Sequence, residues 1–346
     1  MKDFYKGKRV LITGAAGTVG RELVRQLHGM GLSELRLMDN NESETFFLME
    51  DYRGTDNVHC FLGDVRDPDK VTALSEGVDI IIHAAAFKHV ILSEYNPFDV
   101  VQTNIIGVEN VIKAAEANDV PHVLFTSSDK AVNPTNVMGT SKLMGERLIT
   151  AANTVRIGKK TIFTSTRFGN VIGSRGSVVP LFLQQIKRGG PITLTDERMT
   201  RFIMTISEAA RLVLRSLTLA RGGEVFVTKM PVARIIDLAG AMIELRGGGG
   251  KIDIEVIGAK PGEKLYEELM SDEEVPRSVE LEDMFAVVPA FKAIYKSIDY
   301  TYPGVVSDKV SKSYISSSEP AMSRQELKDY LVAHKVLESV EGVNGR

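Results

Sequence analysis

Across the first half of the chain, short runs of β-branched and aliphatic residues alternate with longer segments whose apolar positions recur at spacings of three and four. RVLITG ending at Gly14, LRLMDN at 35–40, VHCFLGD at 58–64, DIIIHAAA at 79–86, HVLFTSS at 122–128 and TIFTSTRFG at 161–169 read as strands. Between them, 19–30, 97–118 and 138–153 read as helices, with Leu23, Val24 and Leu27 on one face of the first. Strands that are apolar throughout, rather than at every second position, imply a sheet covered on both faces. The alternation predicts an α/β fold with a doubly wound parallel sheet.

Beyond Arg167 the pattern loosens into glycine-containing connections, FGNVIGSRGSVVP, KRGGPITL and the run Gly247 to Gly250. A smaller C-terminal domain is expected there. Residues 1–168, rejoined by about 200–230, are assigned to the sheet domain, and 169–199 with 231–346 to the second. The four glycines between Leu245 and Ile252 read as a flexible loop, since glycine loses the most backbone entropy on ordering. The final EGVNGR reads as a frayed end.

The stretch TGAAGTVG, Thr13 to Gly20, follows the first strand and opens the first helix, with glycines spaced as GxxGxxG. Such a loop turns tightly and presents backbone amides to a pyrophosphate at a helix N-terminus, where the dipole favours negative charge. Gly14, Ala16, Gly17, Thr18, Val19 and Gly20 are the candidate contacts. Glycines alone often make only a turn, but Asp39 ends the second strand 25 residues after Gly14, near the offset of a carboxylate that binds the adenosine ribose hydroxyls. That favours NAD over NADP. The competing reading has Asp39 and Asn40 capping the next helix. Asp64 and Val65 after the third strand, and Ala84, Ala85 and Ala86 after the fourth, would complete a dinucleotide crevice.

Composition narrows the partners. A chain of 346 residues with 43% hydrophobic and 25% charged content suits one large or two modest globular domains. The net charge of -3, without long single-sign blocks, leaves neither a nucleic-acid footprint nor a polybasic membrane patch. Apolar windows such as DIIIHAAAF at 79–87 fall far short of the roughly 20 residues that span a bilayer. Cys60 is the only cysteine, so neither an intramolecular disulfide nor a cysteine metal site can form, and no metal is expected. Charged residues lead directly into the first strand with no secretory pattern, and a cytoplasmic location is expected.

The segment SSDKAVNPTNVMGTSK at 127–142 leaves the fifth strand at its C-terminal edge, where ligands bind in open α/β sheets. Asn133-Pro134 makes a turn, and Met138 and Lys142 follow at i and i+4 on one helix face, pointing Lys142 at a nicotinamide ribose. Nucleotide-dependent redox enzymes usually carry a tyrosine four residues before that lysine, and the Met138 thioether cannot move a proton in its place. Ser128, Asp129, Lys130 and Lys142 are the groups that can. An exposed turn is the competing reading of Asp129-Lys130.

The glycine pattern, SSDK and the lysine-bearing helix resemble the extended short-chain dehydrogenase/reductase superfamily. More narrowly, SSDKAVNPTNVMGTSKLMGERL, HAAAFKHV, EYNPFDVVQTNIIGVENV, RFGNVIGSRGSVVPLF, TRFIM and KPGEKLYEEL are similar to the UDP-N-acetylglucosamine 4,6-dehydratase group of polysaccharide and glycan biosynthesis. The resemblance implies a Rossmann-like domain, an NAD cofactor and a hydro-lyase. Such an enzyme oxidises the sugar at C4, eliminates water across C5 and C6, and returns the hydride to C6. It also implies that Ser128, Asp129 and Lys130 are the consecutive hydroxyl, acid and base of that group, a subset of which has methionine where Met138 stands. A lysine base needs a pKa pulled toward neutrality by burial and cationic neighbours, so Lys142 and the oxidised nicotinamide are expected beside Lys130, with Asp129 titrating jointly.

The same likeness implies UDP-sugar contacts from Lys88, Asn170, Arg175, Arg201 and Glu263, because two phosphate charges call for arginine forks and amide donors. Any one of these charges could instead be a solvated surface group. Leu265 and Tyr266 are expected to pack. The 97–118 segment carries Val100, Val101, Ile105, Ile106, Val108, Val111 and Ile112 on more than one face. Self-association into a homo-oligomer, a dimer or hexamer, is therefore expected, with burial under the C-terminal domain the alternative. A nucleotide-sugar C4 epimerase and a non-catalytic NAD or nucleotide-sugar binding protein are the competing functions.

Overall fold

In the computed structural model, which describes residues 1–154, 160–248, 250–258, 262–291, 294 and 297–343, all six predicted strands form. They are Arg9–Thr13 (β1), Glu34–Asp39 (β2), Val58–Leu62 (β3), Ile80–His83 (β4), His122–Ser128 (β5) and Ile162–Phe168 (β6). They lie in the order β3-β2-β1-β4-β5-β6, all parallel. The order reverses between β1 and β4, and this opens a crevice at the C-terminal edge of the sheet.

Both faces are covered, as the uniformly apolar strands require. Val10 and Ile12 of β1 join the core made with helices Thr18–His28 and Ile206–Leu219. Leu11, between them, joins the opposite core with helices Pro68–Leu74, Gly107–Ala117 and Val137–Thr154. Each such fully buried side chain contributes roughly 1.5–3 kcal/mol. A further core lies apart from these, where Phe182 of Val178–Lys187, Met242 of Ile235–Arg246 and Leu331 of Arg324–Ala333 meet.

The C-terminal half is less separate than its sequence pattern suggests. Val225–Thr228 adds in parallel to β6, and Met284–Val287, Ser278–Leu281 and Val305–Ser307 then extend the sheet antiparallel. Three strands within the 231–346 stretch thus belong to the large sheet. Gly247 ends a helix, while Gly249 of the glycine run and residues 344–346 of the tail lie outside the described residues.

The predicted 97–118 helix is interrupted. It runs as Pro97–Val100, a wide π-type segment Val101–Ile106 and then Gly107–Ala117. The wider turn holds Asn104, whose amide donates to the Phe87 carbonyl at 3.0 Å and accepts the Phe87 N–H at 2.8 Å. Among the described residues, no helix is long and apolar enough to cross a membrane.

Candidate active site

The C-terminal ends of β1 to β4 enclose a crevice of about 160 Å³, lined by Gly14, Gly17, Asp39, Asp64, Val65, Ala84, Ala85 and Ala86 among others. β4 stops at His83, so the three alanines leave the sheet and form the crevice floor. Gly14 has φ +72°, and a Cβ there would lie 2.6 Å from the Ala85 amide nitrogen. Gly20 is tighter still, its Cβ falling 2.1 Å from the Gly14 carbonyl oxygen. Bare backbone at the N-terminus of helix Thr18–His28, with Gly17 as its cap, suits a pyrophosphate.

Asp39 closes the crevice from the β2 side. One carboxylate oxygen accepts the Ala16 N–H and the other the Asn41 N–H, both at 3.0 Å. The cap of the next helix, Glu42–Asp51, is Asn41 rather than Asp39 or Asn40. Arg66 holds the Asp64 carboxyl down at about 2, so Asp64 is anionic where it faces the crevice. Beneath the floor, the His83 Nδ1 and Thr13 hydroxyl are 2.7 Å apart, and burial followed by the Lys142 charge pushes the imidazole down to about 3.

Lys142 reaches back to β5, donating to the Thr126 carbonyl at 2.9 Å with its ammonium 4.8 Å over the Phe125 ring. Burial pulls it down to about 8 against the opposing pull of Glu146. Met138, one turn earlier, is buried.

The remaining chemistry gathers just past β5. The Ser128 hydroxyl donates to Asp129 Oδ1 at 2.7 Å, and the Lys130 ammonium donates to the same oxygen at 3.0 Å. Lys130 Nζ also lies 3.5 Å from Glu267 Oε1, and that oxygen is 3.5 Å from Arg201 Nε. Asp129 is 0% exposed, so the pair is not a surface turn. Burial pulls Lys130 down, but Asp129 and Glu267 outweigh burial and Arg201 together and leave its pKa above the ordinary lysine value. This corrects the expectation of a lysine lowered by Lys142. Lys142 is spent on the β5 backbone, and two carboxylates flank Lys130 instead.

A cavity of about 450 Å³ opens over this cluster, lined by Lys130, Asn136, Asn170, Arg201, Glu263, Lys264 and Glu267, with Val90, Ile91, Leu92 and Val178 on its apolar side. Lys88 and Arg175 are not among its lining residues. Lys88 Nζ donates to the Arg175 carbonyl at 2.8 Å, and the Arg175 guanidinium pairs with Glu44 beside the crevice at 2.9 Å. Leu265 packs against a core as expected, whereas Tyr266 is 41% exposed.

A family model described as polysaccharide biosynthesis protein matches residues 10–289. The chain belongs to this family. It is 35% identical to the inverting UDP-N-acetylglucosamine 4,6-dehydratase of Campylobacter jejuni, with 94% of this chain and 98% of that one covered. It is equally 35% identical to a UDP-glucose 4-epimerase of Rickettsia canadensis, covering 95% and 96%. Among solved structures, Pen from Bacillus thuringiensis superposes with a TM-score of 0.87 at 42% identity, covering 95% of this chain and 98% of that one.

Two features of the family member's site are not evident from its sequence. Glu267 is a wall of the cavity, though only Glu263 of the same PGEKLYEE stretch stands out in sequence. Arg167, 2% exposed, makes paired hydrogen bonds to both Glu146 and Glu274 at 2.7–2.9 Å and donates to the Leu269 carbonyl. It ties the Lys142 helix to the segment that delivers Glu267. No spacing signal joins residues 21 and 107 positions apart, although an arginine inside an apolar strand demands buried partners and is itself a clue.

Proposed function

We propose that the protein is a UDP-N-acetylglucosamine 4,6-dehydratase that produces a UDP-2-acetamido-2,6-dideoxy-4-keto-hexose for glycan or polysaccharide assembly. The observation that carries this reading is the Asp129–Lys130–Glu267 cluster, of which Lys130 and Glu267 line the cavity. Removing water across C5 and C6 requires a proton acceptor and a proton donor beyond those that act at C4. Exchange of configuration at C4 alone has no use for them.

The crevice residues fit a nicotinamide dinucleotide: Gly14, Gly17 and the helix N-terminus would hold the pyrophosphate, and Ala84 to Ala86 would floor the site. The Asp39 carboxylate favours NAD, since it would repel a ribose 2′-phosphate. When bound, the nicotinamide supplies reversible hydride exchange with the sugar at C4 and C6. Lys142, on helix Val137–Thr154 with its ammonium held at the Thr126 carbonyl of β5, would anchor the ribose. Ser128 takes the C4 hydroxyl proton as its own hydrogen passes to Asp129, with which it is already hydrogen-bonded. That route needs no phenol at Met138. Asn170, Arg201 and Lys264 line the cavity that would take the nucleotide sugar, with Arg201 held in place by the Thr200, Leu265 and Lys264 carbonyls and Lys264 by the Val132 carbonyl. The resulting C4 ketone acidifies the C5 hydrogen, and Lys130, kept protonated by its neighbours, gives the proton with which the C6 hydroxyl leaves as water.

The epimerase relative makes C4 epimerisation the second reading. Incubation of the purified protein with NAD and UDP-N-acetylglucosamine, followed by NMR, separates them. A 6-deoxy-4-keto sugar is expected; a 4-epimer supports the second reading, and unchanged sugar contradicts both.

A further inference from the structure

The elimination requires a group that takes the C5 proton, and Lys130 is poorly placed to be that group. A protonated amine has no free electron pair, and the two carboxylates around this one stabilise its charge. The acceptor must come from elsewhere in the cluster. Asp129 Oδ1 already receives the Ser128 hydroxyl and the Lys130 ammonium, and Asp129 is fully enclosed. Glu267 differs in access to the cavity, although Asp129 Oδ2, like Glu267 Oε2, is buried without a hydrogen-bond partner among the described residues. Glu267 lines the cavity, and among the described residues its Oε1 meets only the longer contacts at 3.5 Å to Lys130 and Arg201. Its Oε2 is buried without a hydrogen-bond partner among the described residues, in a side chain 97% enclosed.

An unpartnered carboxylate oxygen in such a place costs stability unless something completes it. The backbone around it is firmly held, because the Glu267 amide donates to the Ser316 hydroxyl at 3.0 Å and its carbonyl accepts the Ser316 N–H at 2.9 Å. The backbone position is thus fixed by Ser316, while one carboxylate oxygen has no hydrogen-bond partner among the described residues. Burial, reinforced by Asp129, moves Glu267 above the ordinary carboxylate range, against Lys130, Arg201 and Lys264. A carboxylate raised in this way is a stronger base than one in water.

We propose that Glu267 is the proton acceptor at C5, with Lys130 as the donor at C6. The C5–H bond breaks, its proton passing to a Glu267 oxygen and its electron pair forming the C5=C6 bond. The C6–O bond breaks in turn, and the departing hydroxyl takes a proton from the Lys130 ammonium and leaves as water. The Glu267 carboxyl then holds the proton that C5 must regain. This assignment rests on the dehydratase reading, and a wild-type protein that yields no 6-deoxy-4-keto sugar removes that reading before the variants are compared.

The test follows solvent deuterium into C5 of the recovered sugars, alongside reduced-nicotinamide absorbance as an independent record of C4 oxidation. Glu267→Gln keeps the shape of the side chain and removes its basicity. C4 oxidation is expected to persist, while C5 exchange and elimination fall by at least about 10²-fold. Glu267→Asp, which restores a carboxylate, should recover part of the exchange. Lys130→Gln should lose water elimination yet still exchange C5. The pH profile of elimination should lose its acid limb in Glu267→Gln, with Asp129, Lys130, Arg201, Glu263, Lys264 and Glu268 the ionisable groups around it. C5 exchange that survives in Glu267→Gln, or disappears in Lys130→Gln while C4 oxidation continues, overturns the assignment. If Glu267→Gln does not fold, the Lys130→Gln result and the Glu267→Asp exchange rate decide it alone.

Discussion

Gly20 shows how little room single positions in the crevice have. A methyl group there would meet the Gly14 and Ala15 carbonyls at 2.1 and 2.7 Å, both of them backbone that cannot rotate away. Gly20→Ala should therefore displace the loop and cost about 1–3 kcal/mol, read as a lower midpoint of thermal unfolding. Calorimetric titration should also show NAD binding weakened by about tenfold or more, since roughly 1.4 kcal/mol corresponds to a factor of ten. Unchanged binding and midpoint would mean that the loop is not the cofactor cradle. The glycine loop, Asp39 and the SSDK segment were legible because each is a short local pattern. Glu267 was not, because its neighbours Lys130 and Arg201 are brought to it by the fold alone, from 137 and 66 residues away. The protonation of Lys130 was misjudged for the same reason: its nearest sequence neighbour in charge is Asp129, but the second carboxylate is invisible until the chain folds.

At the scale of elements, the strands followed from their apolar runs, and the exceptions are physical. The β4 run extends apolar residues past the sheet because Ala84 to Ala86 are small enough to floor a crevice, a role that composition alone cannot separate from a strand. The π-type segment left no periodicity signal, since one widened turn shifts register by a single residue. The junction of β6, the Lys142 helix and the 267–274 segment depends on Arg167. Replacing it by methionine removes the paired guanidinium from buried Glu146 and leaves buried Glu274 with only the 3.6 Å Arg277 contact and the Ser271 hydrogen bonds, and should destabilise the protein by about 3–5 kcal/mol. A loss under 1 kcal/mol in denaturant unfolding would show the junction held by packing instead. Burial alone would raise the Glu274 carboxyl, but Arg167 holds it down at about 2. A carboxylate depressed in the folded state stabilises above its unfolded pKa, so this contribution is present above about pH 4.5 and is lost as pH falls toward 2. It amounts to on the order of 3 kcal/mol, and Arg167→Met should flatten the stability curve across that window.

Over the whole molecule, the 97–118 segment buries part of the apolar surface that its sequence left unassigned. Val100, Val108, Val111 and Ile112 are enclosed in the protein's own core. Leu92, Tyr95 and Phe98 stay 61–84% exposed beside them, a patch that a second copy of the chain would cover. Light scattering at micromolar concentration is expected to give at least twice the 38.0 kDa chain mass, with Phe98→Asp lowering it; a monomer would contradict this. The return of three C-terminal strands to the large sheet escaped the sequence because strands of three or four residues carry too short a pattern to place. The proposed dehydratase moves hydrogen from C4 to C6 of one sugar while removing water across C5 and C6. UDP-N-acetylglucosamine labelled with deuterium at C4 tests it most directly. The label is predicted at C6 of a 4-keto product, and a label still at C4, on substrate or on its epimer, would contradict it.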